Sequence, residues 1–139
     1  MPKINKIYIK SIVKKALDED LKPRGDITTN LISFKNKKTT AKIIAKQNGI
    51  IAGLDFCRAA FKIVGVETIF ISKVKDGSKV KKNNIIAEIK AKANTILIAE
   101  RTALNFLNHA SGIASLTNQF VQKVNKKTKI CCTRKTTPN

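Results

Sequence analysis

The run Cys132-Thr133-Arg134-Lys135-Thr136-Thr137-Pro138 places two adjacent cations among three hydroxyls. Charge-assisted donors of this kind hold carboxylates and phosphates, Arg as a planar fork and Lys as a compact point charge. A second candidate is Arg101, which follows Glu100 in Ala99-Glu100-Arg101-Thr102-Ala103-Leu104-Asn105. Nucleophilic and metal chemistry are poorly supplied by comparison. The single histidine, His109, and the three cysteines, Cys57, Cys131 and Cys132, form no CxxC pair and no tetrahedral ligand set. The cysteines read as small buried apolar residues, and His109 as a solvent-exposed imidazole without catalytic duty.

These side chains need elements to hold them. Ile4, Ile7, Ile12, Val13, Ala16 and Leu17 predict an opening helix that ends near Asp20. Pro23, Gly25 and Asp26 punctuate a loop, with Asp26 capping a short turn from Ile27. From Thr39 the pattern becomes β-like, and Gly49 predicts a hairpin between Thr40–Lys46 and Ile50-Ile51. Leu54 to Val64 returns to helix, with Gly65 as a left-handed stop. Strands follow at Glu67–Val74 and Ile85–Ile89, with Asp76-Gly77 as turn chemistry before Val80.

The strongest helical period runs from Asn94, read as a cap, to Ala110. On that helix Glu100 falls within the apolar arc and requires a partner, because an unpaired buried carboxylate is costly. Arg101 lies at the border beside Leu97 and Asn108, where it is free to reach a ligand. Ser111-Gly112 reads as a break before a further helix on Ile113, Leu116, Phe120 and Val124. Lys129-Ile130-Cys131-Cys132-Thr133 then reads as a buried strand whose carboxyl end bears Thr133, Arg134 and Lys135. In α/β barrels the active site stands at that end.

The 139 residues, 42% of them hydrophobic, suffice for one complete core. The +19 net charge comes from 24 Lys and only 4 Arg against 9 acids and is spread along the whole chain, as a solvated coat is. It attracts anions generally, but without a nucleic-acid module it points to no specific nucleic-acid partner. No segment approaches the ~18 apolar residues of a membrane span, and the start of the chain lacks a signal core. With an odd cysteine count, these features lead to the expectation of a cytoplasmic protein with no membrane partner.

Four stretches carry a family resemblance: Gly25-Asp26-Ile27-Thr28-Thr29, the Ala99–Asn105 run, Ser111-Gly112-Ile113-Ala114, and Thr133-Arg134-Lys135-Thr136-Thr137-Pro138. In order and spacing they resemble the amino-terminal half of quinolinate phosphoribosyltransferase, also called nicotinate-nucleotide pyrophosphorylase (carboxylating). The resemblance implies an α+β amino-terminal domain of about four strands with flanking helices over residues 1–110. Residues 111–139 would then hold the first helix and strand of an incomplete α/β barrel. It further implies transfer of phosphoribosyl from phosphoribosyl pyrophosphate to quinolinate with decarboxylation, giving nicotinate mononucleotide for NAD biosynthesis. Mg2+ would assist, through ligands lying past this chain.

By motif match Arg101 binds a quinolinate carboxylate, entering the active site of a neighbouring subunit in a homodimer or larger oligomer. Thr133, Arg134 and Lys135 line the barrel side of the pocket, with Arg134 and Lys135 acting electrostatically as the catalytic pair. Where the family has Gly after the Thr-Thr-Pro run, this chain has Asn139. The 139-residue chain is expected to be inactive alone. Two other classes fit parts of the sequence. Asp76-Gly77-Ser78-Lys79-Val80 before Ile85-Ile86 resembles the hairpin rhythm of a biotinyl or lipoyl carrier module, though no Met flanks a lysine there; the charge alone would suit a polyanion-binding protein.

Overall fold

The computed structural model of the chain describes residues 4–31, 37–124, 128–131, 133 and 135. The first helix, α1 (Lys6–Leu21), is capped by Asn5, whose side-chain oxygen accepts the Ile7 amide at 2.8 Å. Its buried stripe is Ile9, Val13 and Leu17, one residue per turn toward the helices α3 (Leu54–Val64) and α4 (Ala93–Lys123). Ile4 and Ile7, assigned to the stripe by sequence, are exposed. The strict four-residue spacing from Ile9 packs better because it stays on one face for three turns. A short helix α2 (Ile27–Asn30) follows, capped by Asp26 as expected.

Among the described residues five strands form two small sheets, against the single layer of about four read from the sequence. β1 (Lys38–Ile44), β3 (Ile69–Ser72) and β5 (Ile85–Lys92) make an antiparallel sheet in the order β1-β5-β3. β2 (Gly49–Ile50) and β4 (Lys79–Val80) make a separate antiparallel pair. The expected hairpin between β1 and β2 is therefore absent: β1 pairs with β5 instead. The register explains the choice, since it sets Ala41 opposite Ile89 and Ile43 opposite Ala87, joining apolar side chains on the covered face. On β3 the inward residue is Phe70, opposite Ile89, while Ile69 and Ile71 face out.

Ile89, 1% exposed, lies at the centre of this face, where full burial of such a side chain contributes about 1.5–3 kcal/mol. Helix α3 (Leu54–Val64) covers the core with Leu54, Cys57, Ala60 and Phe61. Its start is unusual: Gly53 occupies the cap at φ 93°, and the carboxylate of Asp76 accepts the Gly53 and Leu54 amides at 3.2 and 3.1 Å. Asp76 thus does the capping from another loop. At the other end Gly65 is extended, not left-handed, so the expected reason for its glycine is wrong. A Cβ there would come within 2.5 Å of Thr95 Cγ2, so close approach of α3's exit to the last helix is what requires it.

That last helix, α4 (Ala93–Lys123), runs 31 residues without the break expected at Ser111-Gly112. Gly costs a helix only about 1 kcal/mol relative to Ala, and the surroundings offset it. Ser111 Oγ accepts the Ala52 amide at 3.0 Å and donates to the Ala52 carbonyl at 3.2 Å. One turn later Ser115 Oγ accepts the Ile50 amide at 2.8 Å and donates to the Ile50 carbonyl at 3.4 Å. Two hydroxyls spaced by four residues thereby serve the open edge of β2 as a neighbouring strand would. Asn94, read as the cap, lies inside the helix, and Lys92 precedes it in extended geometry.

The seam between α3 and α4 is lined by alanines. Ala60, Ala99 and Ala103 are fully buried, so the helix backbones approach closely, and Phe56 stacks on Phe106 at 5.3 Å beside them. Residues 128–131, 133 and 135 lack regular structure where a strand was expected over 129–133, and Cys132 of that stretch lies outside the described residues. A strand needs a paired neighbour to satisfy its amides, and among the described residues no strand of either sheet pairs with this stretch. Cys131 is accordingly exposed, contrary to expectation, while Cys57 is buried as expected.

Candidate functional site

Arg101 stands on the outer side of α4, with its side chain 74% exposed, as the helical period predicted. Its Nη1 donates to Asp20 Oδ1 of α1 at 2.9 Å. Asp20 is 22% exposed, so the pair has a sheltered acid and a solvent-facing cation. The guanidinium also acts on Asp26: the side chain and amide of Thr29 bond that carboxylate at 2.6 and 2.9 Å and hold it below the usual carboxylate range, and Arg101's charge lowers it further. Arg101 therefore stands beside two acids from two loop-proximal positions. The arrangement leaves a planar cation near the surface with its position fixed from one side.

Asp20 was not singled out in the sequence, although a signal existed. Asp18-Glu19-Asp20 fills the last turns of α1, where negative charge opposes the helix dipole. Acids in such a place call for cations elsewhere. Asp18 meets Lys22 at 3.0 Å and Asp20 meets Arg101. Glu19 faces an open groove of about 940 Å³ between α1 and α4, lined also by Ala16, Asn105, Asn108 and His109. His109 is exposed, in keeping with the sequence reading.

Glu100 departs from its expectation. It is exposed, no ion pair to it occurs among the described residues, and it rims a second groove with Ile86, Ile96 and Leu104. The buried arc of α4 includes Thr95 and Thr102 along with Ile96, Ala99, Ala103 and Leu107. The two threonines carry the arc away from Glu100 and Leu104, and a period counted on aliphatic residues alone misses that rotation.

Thr133 and Lys135 are exposed and lie in irregular chain. Arg134, expected beside Lys135 as the second cation, lies outside the described residues. Neither Thr133 nor Lys135 shares a described hydrogen bond or ion pair with Arg101. Among the described residues no group of three or more His, Cys, Asp or Glu side chains could hold a metal ion, and no helix is long and apolar enough to cross a membrane.

Comparison with known proteins gives a consistent answer. The chain is 43% identical over 136 residues to the "Probable nicotinate-nucleotide pyrophosphorylase (carboxylating)" of Methanocaldococcus jannaschii, covering 96% of this chain and 46% of that protein. The like-named Bacillus subtilis protein is 35% identical over 136 residues, covering 97% and 46%. The chain thus spans about half the length of the curated relatives it matches. The crystal structure of NadC from Streptococcus pyogenes superposes with a TM-score of 0.94 at 34% identity, over 100% of this chain and 50% of that one. Residues 26–111, which include Asp26, Arg101 and the first serine bonded to β2's loop, match the model for the N-terminal domain of quinolinate phosphoribosyl transferase, and the chain belongs to that family.

Proposed function

We propose that this chain serves as the amino-terminal part of an enzyme that joins quinolinate to phosphoribosyl pyrophosphate and decarboxylates the product to nicotinate mononucleotide. The observation that carries the reading is Arg101: on the family-matched helix it presents an outward guanidinium suited to a carboxylate. In this reading Arg101 engages quinolinate in the active site of a neighbouring copy, within a homodimer or larger assembly. Residues 111–139 begin the barrel half, and Thr133, Arg134 and Lys135 hold the substrates' anionic groups from its side. The long α4 joins the two parts.

The reaction needs positioning and charge more than covalent chemistry. The ring nitrogen forms a bond to the ribosyl anomeric carbon as the bond to pyrophosphate breaks, and cations stabilise the departing charge. The carboxyl carbon next to that nitrogen then leaves as carbon dioxide, and its electron pair stays on the ring to take a proton. The magnesium implied by the family finds no ligand set among the described residues.

The test is complementation. The purified 139-residue chain is expected to form no nicotinate mononucleotide, and to gain activity when mixed with a separately expressed barrel half of the Methanocaldococcus jannaschii relative. Arg101→Ala should abolish that gain. Product from the unaided chain would refute the two-part reading, and an Arg101→Ala mixture as active as the parent would remove Arg101 from the site.

A further inference from the structure

The ion pair between Asp20 and Arg101 is lopsided in a way that assigns the two residues different jobs. Asp20 is 22% exposed and sits on the last turns of α1, whereas Arg101 is 74% exposed on a different helix. Carboxylates at that end of a helix oppose its dipole, so α1's own stability gives no reason for Asp20. The contact is also single-point: Nη1 alone donates, to Oδ1 at 2.9 Å. A guanidinium carries five N–H donors in a planar fork, and a carboxylate fits two of them side by side. Among the described contacts, Nη2 and Nε remain unspent. A structural salt bridge that used Arg101 fully would engage two donors, as Arg58 does with Asp55 and Ser72 at 2.7 and 2.9 Å.

We propose that Asp20 is the positioning residue for Arg101, fixing one nitrogen of the fork so that the remaining edge is presented to a dicarboxylate. The proposal rests on the reading of Arg101 as a quinolinate-binding residue and deepens it. Two effects of Asp20 oppose each other. Its charge repels an incoming dianion, while its hydrogen bond spares the ligand the cost of ordering a long side chain, a cost worth roughly a fivefold change in affinity. Asn and Ala at position 20 carry the same charge, and only Asn keeps the acceptor. Comparing them isolates positioning from repulsion.

The experiment follows the Arg101 Nε–Hε resonance of the isotope-labelled 139-residue chain, mixed with the separately expressed barrel half of the Methanocaldococcus jannaschii relative, during titration with quinolinate, with Arg58 as the internal control. Asp20→Asn is expected to bind about fivefold more tightly than Asp20→Ala, and Arg101 Nε relaxation should show an ordered side chain in Asp20→Asn and a mobile one in Asp20→Ala. Asp20→Ser, too short to reach, serves as the second acceptor-deficient variant if Asp20→Ala does not fold. Asp18→Ala, whose parent carboxylate pairs with Lys22, should leave the Arg101 response unchanged. Equal affinities for the Asn and Ala or Ser variants would overturn the positioning role while leaving Arg101's role standing. A wild-type chain that restores activity to the mixture but whose Arg101 resonance ignores quinolinate would overturn both.

Discussion

The hydroxyl of Ser115 accepts the Ile50 amide at 2.8 Å, and the same oxygen lies 2.8 Å from where a Cβ on Gly49 would stand. One side chain thus satisfies the edge of β2 and excludes any larger neighbour beside it. Ser111 repeats the contact one helical turn earlier, on Ala52. Replacing either serine by alanine leaves a partly buried amide and carbonyl without their partner, at about 1–2 kcal/mol each. The double variant, read by thermal unfolding, should lose roughly the sum, because each hydroxyl serves a different residue. A double variant as stable as the parent would show that water replaces both hydroxyls without cost.

Gly65→Ala should destabilise the chain by about 1–3 kcal/mol through overpacking against Thr95. Because Gly65 is extended at φ −143°, backbone strain contributes nothing. Shortening the obstacle should therefore restore much of the loss: Gly65→Ala with Thr95→Ala is expected to be more stable than Gly65→Ala alone. Denaturant midpoints of the single and double variants check this, and additive losses would contradict the contact.

Cys57 and Cys131 should differ sharply in reactivity. Burial penalises the Cys57 thiolate and pushes its pKa up to about 12, with Arg58's charge opposing only weakly. At pH 8 the thiolate is scarce and sheltered, whereas Cys131 is exposed. Brief alkylation of the native chain, followed by mass spectrometry of peptides, should mark Cys131 and spare Cys57 until denaturant is added. Equal labelling of both in the native state would contradict the packing of α3.

Asp26 should make stability fall in acid. Its pKa is lowered in the folded chain, chiefly by the bond from the Thr29 hydroxyl and then by the Thr29 amide. A depressed carboxyl stabilises the fold above its unfolded value, near 3.8, and loses that contribution as pH falls through the lower folded value. Asp26→Asn should flatten the stability profile below about pH 4 relative to the parent, in chemical denaturation at each pH. An unchanged slope would mean the cap bonds survive protonation.

Local chemistry made much of this legible. The period over Leu54–Val64 located α3 to the residue, and Asp26 read correctly as a cap because capping depends on neighbours three positions away. Arg101's exposure followed from helical geometry alone. What failed depended on partners distant in sequence. β1's choice of β5 over β2 is decided by cross-strand packing with residues more than 40 positions away, and the persistence of α4 through Gly112 by hydroxyl contacts with Ile50 and Ala52. Gly65 was misread for a related reason, since Thr95 on another element decides the outcome, whereas Glu100 was misplaced within its own helix because the buried Thr95 and Thr102 were not counted in the apolar arc. Asp20's tie to Arg101 spans 81 residues and could be sensed only as acids placed against a dipole.

Because α4 is unbroken, Arg101 and Lys123 belong to a single rod, about 33 Å apart at 1.5 Å per residue. Such a rod is a lever. Tilting it by ~5° about the arginine would swing its far end by ~3 Å, so whatever grips that end also aims the guanidinium. Pivot and load are fixed to each other by the helix backbone itself.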